Sequence, residues 1–174
     1  MPSEQEKLIK ALQYAIKMEK DGHDFYLKSC KESSNDLGRQ LMESLAKQEE
    51  GHAKKFTQIY ENIRKSHAWP NVEFKTDGGR TLRTIFARQT EANVCDPGND
   101  TELGVIEKAR TMEAESYDFY HKRKEQAESD AEREFFDTIA SEEWEHGLIL
   151  NDYYEYLKDP AAWFVKSERQ SIDG

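Results

Sequence analysis

Leu45-Ala46-Lys47-Gln48-Glu49-Glu50-Gly51-His52 carries a Glu-x-x-His pair, and Ile139-Ala140-Ser141-Glu142-Glu143-Trp144-Glu145-His146 carries a second. Glu49 and Glu143 stand 94 positions apart, as do His52 and His146. The same offset joins Met18-Glu19 … Asp24-Phe25-Tyr26 to Met112-Glu113 … Asp118-Phe119-Tyr120. The chain therefore states one pattern twice: a glutamate, then, about thirty residues on, a Glu-x-x-His.

Each copy falls on helical spacing. Ser3-Glu4-Gln5-Glu6 reads as a capping box that opens a first helix over about 4–31, with Leu8, Leu12, Ala15, Glu19 and Tyr26 on one face. A second helix over about 36–65 has the stripe Leu41, Leu45, Glu49, His52, Phe56, Ile59 and Ile63. A third over about 101–127 aligns Ile106, Ala109, Glu113, Ser116 and Tyr120. Ser129-Asp130-Ala131-Glu132 reads as another capping box. It opens a fourth helix over about 130–157, with Phe136, Ile139, Glu143, His146, Leu150, Tyr153 and Leu157 inward. Lys158-Asp159-Pro160 stops it, so no fifth helix is expected; the tail 158–174 should dock through Trp163, Phe164 and Val165. Residues 66–100 are rich in turn chemistry, and Thr81 to Ala92 fits a short helix with Leu82, Ile85 and Phe86 inward. So long a link suits a crossover that starts the third helix at the same end as the second. The expectation is an all-α four-helix bundle, with one domain over 1–174 and no sustained period-two alternation for a sheet.

Composition agrees. The 174 residues are 34% charged and 36% hydrophobic with nine Gly and four Pro, which favours helices and suffices for a core. A formal charge of −10 argues against nucleic acid, and Lys122-Arg123-Lys124 reads as a solvated helix face. No stretch approaches the roughly 20 apolar residues of a membrane span, and the polar, acidic start does not read as a signal peptide. Cys30 and Cys95 form neither a disulfide framework nor a metal knuckle, and a cytoplasmic setting with inert thiols is the expectation.

Glutamates on apolar stripes are costly unless paired, protonated or bound to metal. Glu19, Glu49, Glu113 and Glu143 should meet at one level of the bundle, and no Lys or Arg shares their stripes. Two divalent cations would balance four carboxylates, with His52 and His146 as neutral ligands; Glu and His at i and i+3 face one side of a helix. Mixed oxygen and imidazole donors suit Fe or Mn best, and Zn as a loaded ion is compatible. The competing account is a Glu-rich surface. It explains one Glu-x-x-His easily, but not two in register, each with its own preceding glutamate.

These motifs resemble those of rubrerythrin-like proteins, a branch of the ferritin-like di-iron carboxylate class, over about residues 5–157. Glu-Lys-Asp-Gly-His-Asp-Phe-Tyr at 19–26 is similar to the family's first helix, and Trp-Phe-Val-Lys-Ser-Glu … Asp-Gly to the endings of its short members. The resemblance implies a ferritin-like bundle with Glu19, Glu49, His52, Glu113, Glu143 and His146 holding two Fe ions, Glu49 and Glu143 bridging them. It also implies reaction with O2 or H2O2 in oxidative-stress or iron handling, as a peroxidase- or ferroxidase-type oxidoreductase. Two departures stand out. No rubredoxin-type Cys-x-x-Cys knuckles are present, so electrons must come from an external donor such as a rubredoxin-like protein. Ser116 stands where the family usually carries a further glutamate, which puts efficient peroxidase activity in doubt and favours a more symmetric site.

Tyr26 and Tyr120 follow Glu19 and Glu113 by two turns and are candidates to hydrogen-bond a ligand carboxylate or to donate an electron. His23 is expected outside the ligand set, and His67 and His121 at the surface. Gly22, Gly51 and Gly147 sit within helices near ligand positions, where close helix approach accounts for them. A homodimer is expected. The alternatives to turnover are iron binding or storage, which needs a hollow shell, and a metal-free helical interaction module.

Overall fold

The computed structural model describes residues 1–92 and 97–172; Cys95 lies outside them. Among these residues every regular element is a helix: α1 (Glu4–Glu32), α2 (Asp36–Ser66), α3 (Arg80–Ala92), α4 (Asp100–Glu125), α5 (Asp130–Lys158) and α6 (Pro160–Ile172). Short turns make α1–α2 and α4–α5 two hairpins, and the stretch between them carries α3. The four long helices set the ferritin-like bundle, with α1 packed along α2 and α4 along α5.

Local chemistry explains the boundaries. Ser3 accepts from the Glu6 N–H while Glu6 accepts from the Ser3 N–H, a complete capping box. At Ser129 only half of that motif forms: Ser129 caps the Glu132 N–H, but the Glu132 carboxylate turns to the Glu128 N–H at 3.2 Å. Asn99 and Glu102 form the reciprocal pair that opens α4 one residue earlier than its apolar stripe suggests. His67 closes α2 in a left-handed conformation (φ 58°).

The apolar residues separate into two clusters, one towards each end. One joins Tyr26 of α1, the first half of α2, Ile106 and Ala109 of α4, and the last turns of α5. The other joins Leu12 and Ala15, Phe56 to Ile63, Tyr120, and Phe135 to Ala140. The starts of α2 and α4 therefore share an end, as the crossover requires. The crossover lies across both clusters: Trp69, Val72 and Phe74 pack on the second, Leu82 and Phe86 of α3 on the first.

The expectation that no helix follows Pro160 is wrong. Pro160 ends α5 and is also the first residue of α6, where its missing N–H costs nothing. Asp159 caps the new helix, accepting from the Ala162 N–H at 3.0 Å. Trp163 and Phe164 dock on Tyr156, and Phe86 of α3 packs against both Trp163 and Tyr156. Val165 does not join them and is about half exposed.

Candidate metal centre

Between the two apolar clusters lies a polar layer. The side chains of Glu19, Glu49, His52, Glu113, Glu143 and His146 are all buried, and they meet near the midpoints of the four long helices. The period that places leucines and phenylalanines inward places these residues inward too.

The arrangement follows the sequence repeat. His52 turns Nδ1 into the layer, 3.1 Å from Glu19 and 3.2 Å from Glu143. His146 turns Nδ1 inward likewise, 3.3 Å from Glu49, 3.5 Å from Glu113 and 3.4 Å from Glu143. The two imidazoles stack with centroids 5.8 Å apart and planes 12° from parallel. Ligand-type atoms gather in two groups, each within 4.8 Å: Glu19, Glu49, His52 and Glu143, then Glu49, Glu113, Glu143 and His146. Glu49 and Glu143 belong to both.

Tyr26 and Tyr120 cross over. The Tyr26 hydroxyl donates to Glu113 and the Tyr120 hydroxyl to Glu19, so each tyrosine serves the carboxylate of the other half. Burial first, then those carboxylates, push both phenols well above their ordinary pKa and keep them as donors.

Electrostatics mark the layer as charge-poor for its acids. Burial, and then the neighbouring carboxylates of Glu143, Glu19 and Glu113, push Glu49 well above the usual carboxylate range. Burial, with Glu19 and Glu113, raises Glu143 to about 7. Burial alone would raise Glu113, but the adjacent His146 outweighs it and holds that carboxyl low. Burial opposes charge on His52 and His146, yet the carboxylates around them, Glu19, Glu142 and Glu143 for His52 and Glu113, Glu143 and Glu49 for His146, together hold both rings well above the ordinary histidine value. Among the described residues no Lys or Arg is buried with these acids.

A metal fits this donor set. Glu49 Oε1, both oxygens of Glu143 and Nδ1 of His146 are buried without a hydrogen-bond partner. Buried polar atoms are rarely left so, and these four are aimed at one another's neighbourhood. Gly22 makes room for the Glu49 carboxylate: a Cβ there would lie 2.7 Å from Glu49 Oε2. Close approach does not explain Gly51 or Gly147, around which a Cβ would meet nothing within 4 Å.

His23 is half-buried beside Asp24 and outside both groups; His67 and His121 are exposed. Two residues escaped the sequence reading. Glu142 accepts from His52 Nε2 at 2.7 Å, and Gln48 accepts from His146 Nε2 at 3.0 Å. Their signal was present, since each immediately precedes a ligand-position glutamate and they obey the same 94-residue offset. A groove of about 590 Å³ opens to the surface beside Gln48, His52 and Glu142, with Phe74 of the crossover along its wall.

A helical bundle with carboxylates and histidines facing one another across its middle defines the ferritin-like carboxylate class. The chain belongs to the rubrerythrin family, whose sequence profile matches residues 10–154. No curated protein and no solved structure matches it. The family is one of di-iron proteins and implies O2 or H2O2 chemistry, and the buried cluster can hold metal. Among the described residues no helix is long and apolar enough to cross a membrane.

Proposed function

We propose that Glu19, Glu49, His52, Glu113, Glu143 and His146 bind two iron ions, and that the protein is a di-iron oxidoreductase that reacts with O2 or H2O2. The observation that carries this reading is the set of buried atoms on Glu49, Glu143 and His146 that crowd together without a hydrogen bond, two of whose residues are common to both donor groups. Glu49 and Glu143, common to both groups, would be shared between the two ions. Glu19 with His52 completes one position, and Glu113 with His146 the other. Bound iron would supply the reducing electrons for the oxidant. The protein's own groups bind, orient and shield. Tyr120 and Tyr26 hold the terminal carboxylates Glu19 and Glu113 by their hydroxyl protons. The apolar clusters above and below exclude water from the layer. The groove at His52 gives a small oxidant its approach from solvent, and a separate donor protein returns the electrons. With Ser116 half-buried where the family usually carries a glutamate, the six-ligand set stays symmetric, and Fe(II) oxidation is favoured over rapid peroxide turnover.

The test is anaerobic loading with Fe(II), removal of unbound metal and elemental analysis, followed by exposure to O2 or H2O2. About two irons per chain, lost in Glu49→Ala and in His146→Ala and oxidised on exposure, support the reading. No bound iron overturns the metal centre; bound iron that neither oxidant touches overturns the oxidoreductase and leaves a binding or storage protein.

A further inference from the structure

Glu142 and Gln48 occupy equivalent places in the two halves of the repeat, and they differ by one charge. Each accepts from the outward Nε2 of the histidine in the opposite half-site, while that histidine's Nδ1 faces the carboxylates. With Nδ1 turned towards a metal, Nε2 carries the proton. His52 therefore donates to a carboxylate at 2.7 Å and His146 to a neutral amide at 3.0 Å. Charge-assisted hydrogen bonds are shorter and roughly twice as strong as neutral ones. A carboxylate behind an imidazole also raises its strength as a ligand.

The carboxylates and tyrosines of the two half-sites are matched, although Gly22 stands opposite Ser116 in the repeat and Phe74 covers His52 alone. Each has a terminal glutamate held by a tyrosine hydroxyl from the opposite half, and each shares Glu49 and Glu143. The Glu142/Gln48 difference is thus an unbalanced charge within a balanced frame. Glu142 is also held in place: it is buried beside Thr76 of the crossover, and the Phe74 ring lies edge-on to His52 at 5.6 Å. Gln48 is half-buried.

We infer that Glu142 and Gln48 are positioning residues that make the two metal positions unequal, so that the position formed by Glu19, Glu49, His52 and Glu143 takes the first divalent ion. This rests on the two-metal reading above. Outer partners of metal-bound histidines typically change affinity by about tenfold to a hundredfold. A preference of at least about tenfold is therefore expected.

The test uses Zn(II), which has no redox chemistry to complicate filling. Wild type, Glu142→Gln and the exchange variant Glu142→Gln/Gln48→Glu are crystallised with one equivalent of Zn(II). Occupancy at each position is read by anomalous scattering, and a chelator competition in solution gives the two affinities. Wild type should fill the His52 position first, Glu142→Gln should bring the two affinities together, and the exchange variant should fill the His146 position first. The substitutions keep shape, and helix content by circular dichroism checks that each variant folds. Equal filling of wild type, or an order unchanged in both variants, overturns the inference while leaving two bound ions and the metal centre intact. Absence of zinc from both positions at several equivalents overturns the metal centre itself.

Discussion

Glu143→Gln should stabilise the metal-free protein near neutral pH and leave it unchanged in acid. The Glu143 side chain is wholly buried and neither of its oxygens has a hydrogen-bond partner. Burial, with the charges of Glu19 and Glu113, raises its pKa from about 4.5 to about 7. The folded protein therefore holds this proton more tightly than the unfolded chain. Below about pH 4.5 both states are protonated and the group's stabilising contribution is fully present. Between about 4.5 and 7 the unfolded chain ionises first, and stability falls as pH rises. At 1.36 kcal/mol per pH unit the interval corresponds to about 3 kcal/mol. Glutamine keeps the shape, titrates nothing, and is surrounded by carboxylate acceptors for its amide protons.

The gain is partly offset, because His52 and His146 each lose one facing carboxylate. Each keeps another, Glu19 at 3.1 Å for His52 and Glu113 at 3.5 Å for His146, so the sign survives. Urea unfolding of wild type and variant in the presence of a chelator, followed by circular dichroism from pH 5 to 8, measures the difference. The gap should be below about 1 kcal/mol at pH 5 and should widen to between about 1 and 3 kcal/mol in the variant's favour by pH 8. A wild type at least as stable as the variant at pH 8, or a gap that ignores pH, refutes the reasoning. Added Mn(II) should reverse the order, since the variant then lacks a bridging ligand.

Other perturbations follow from the same geometry. Tyr26→Phe and Tyr120→Phe each remove a buried donor to a carboxylate and should cost about 1.5–3 kcal/mol in chelator-treated protein, read by the same urea curves. Gly22→Ala should divide its effects: the helix gains up to about 1 kcal/mol in propensity, while the new Cβ displaces the Glu49 carboxylate, so apo stability holds or rises as metal affinity in a chelator competition falls. Trp163→Ala should undock α6 from Tyr156 and Phe86 and lower stability by about 2 kcal/mol, with fewer helical residues by circular dichroism and no change in bound metal. Saturating the site with divalent metal at about 100 times its dissociation constant should add about 2.7 kcal/mol to unfolding stability, lost again on chelation.

The bundle was legible because the same helical period that buries Leu45, Phe56, Ile139 and Leu150 also buries Glu49, His52, Glu143 and His146. A charged residue on an apolar stripe is visible in sequence; what faces it from another helix is not. That is why the spacing sets each tyrosine two turns from a glutamate of its own helix, while the crossing, Tyr26 to Glu113 and Tyr120 to Glu19, needed coordinates. Pro160 misled for a different reason. Proline forbids continuation of a helix but favours the start of one, and only the direction of the chain after Asp159 decides between them. Gly51 and Gly147 misled by analogy with Gly22: the same residue type near the same motif, but open space in place of a facing carboxylate.

The repeat itself has a further consequence. A 94-residue offset that preserves Glu, Glu-x-x-His and Tyr produces two half-sites related by an approximate twofold, and symmetry of that kind would make two bound ions interchangeable. Function at a dinuclear centre often needs the reverse, one ion bound firmly while its neighbour exchanges or meets the oxidant. The chain departs from its own repeat at a few places around the layer, and each departure falls on a different contact. Ser116 answers to Gly22, which alone clears space for Glu49. Glu142 answers to Gln48, at the back of the two histidines. The crossover segment, which has no counterpart in the repeat, lies over His52 through Phe74 and over Glu142 through Thr76. All three bear on the half-site of Glu19, Glu49 and His52 or on its shared bridge. The six buried side chains thus keep the symmetry while their surroundings break it, and on the proposed two-ion reading the surroundings are where selection can adjust reactivity without losing the metal.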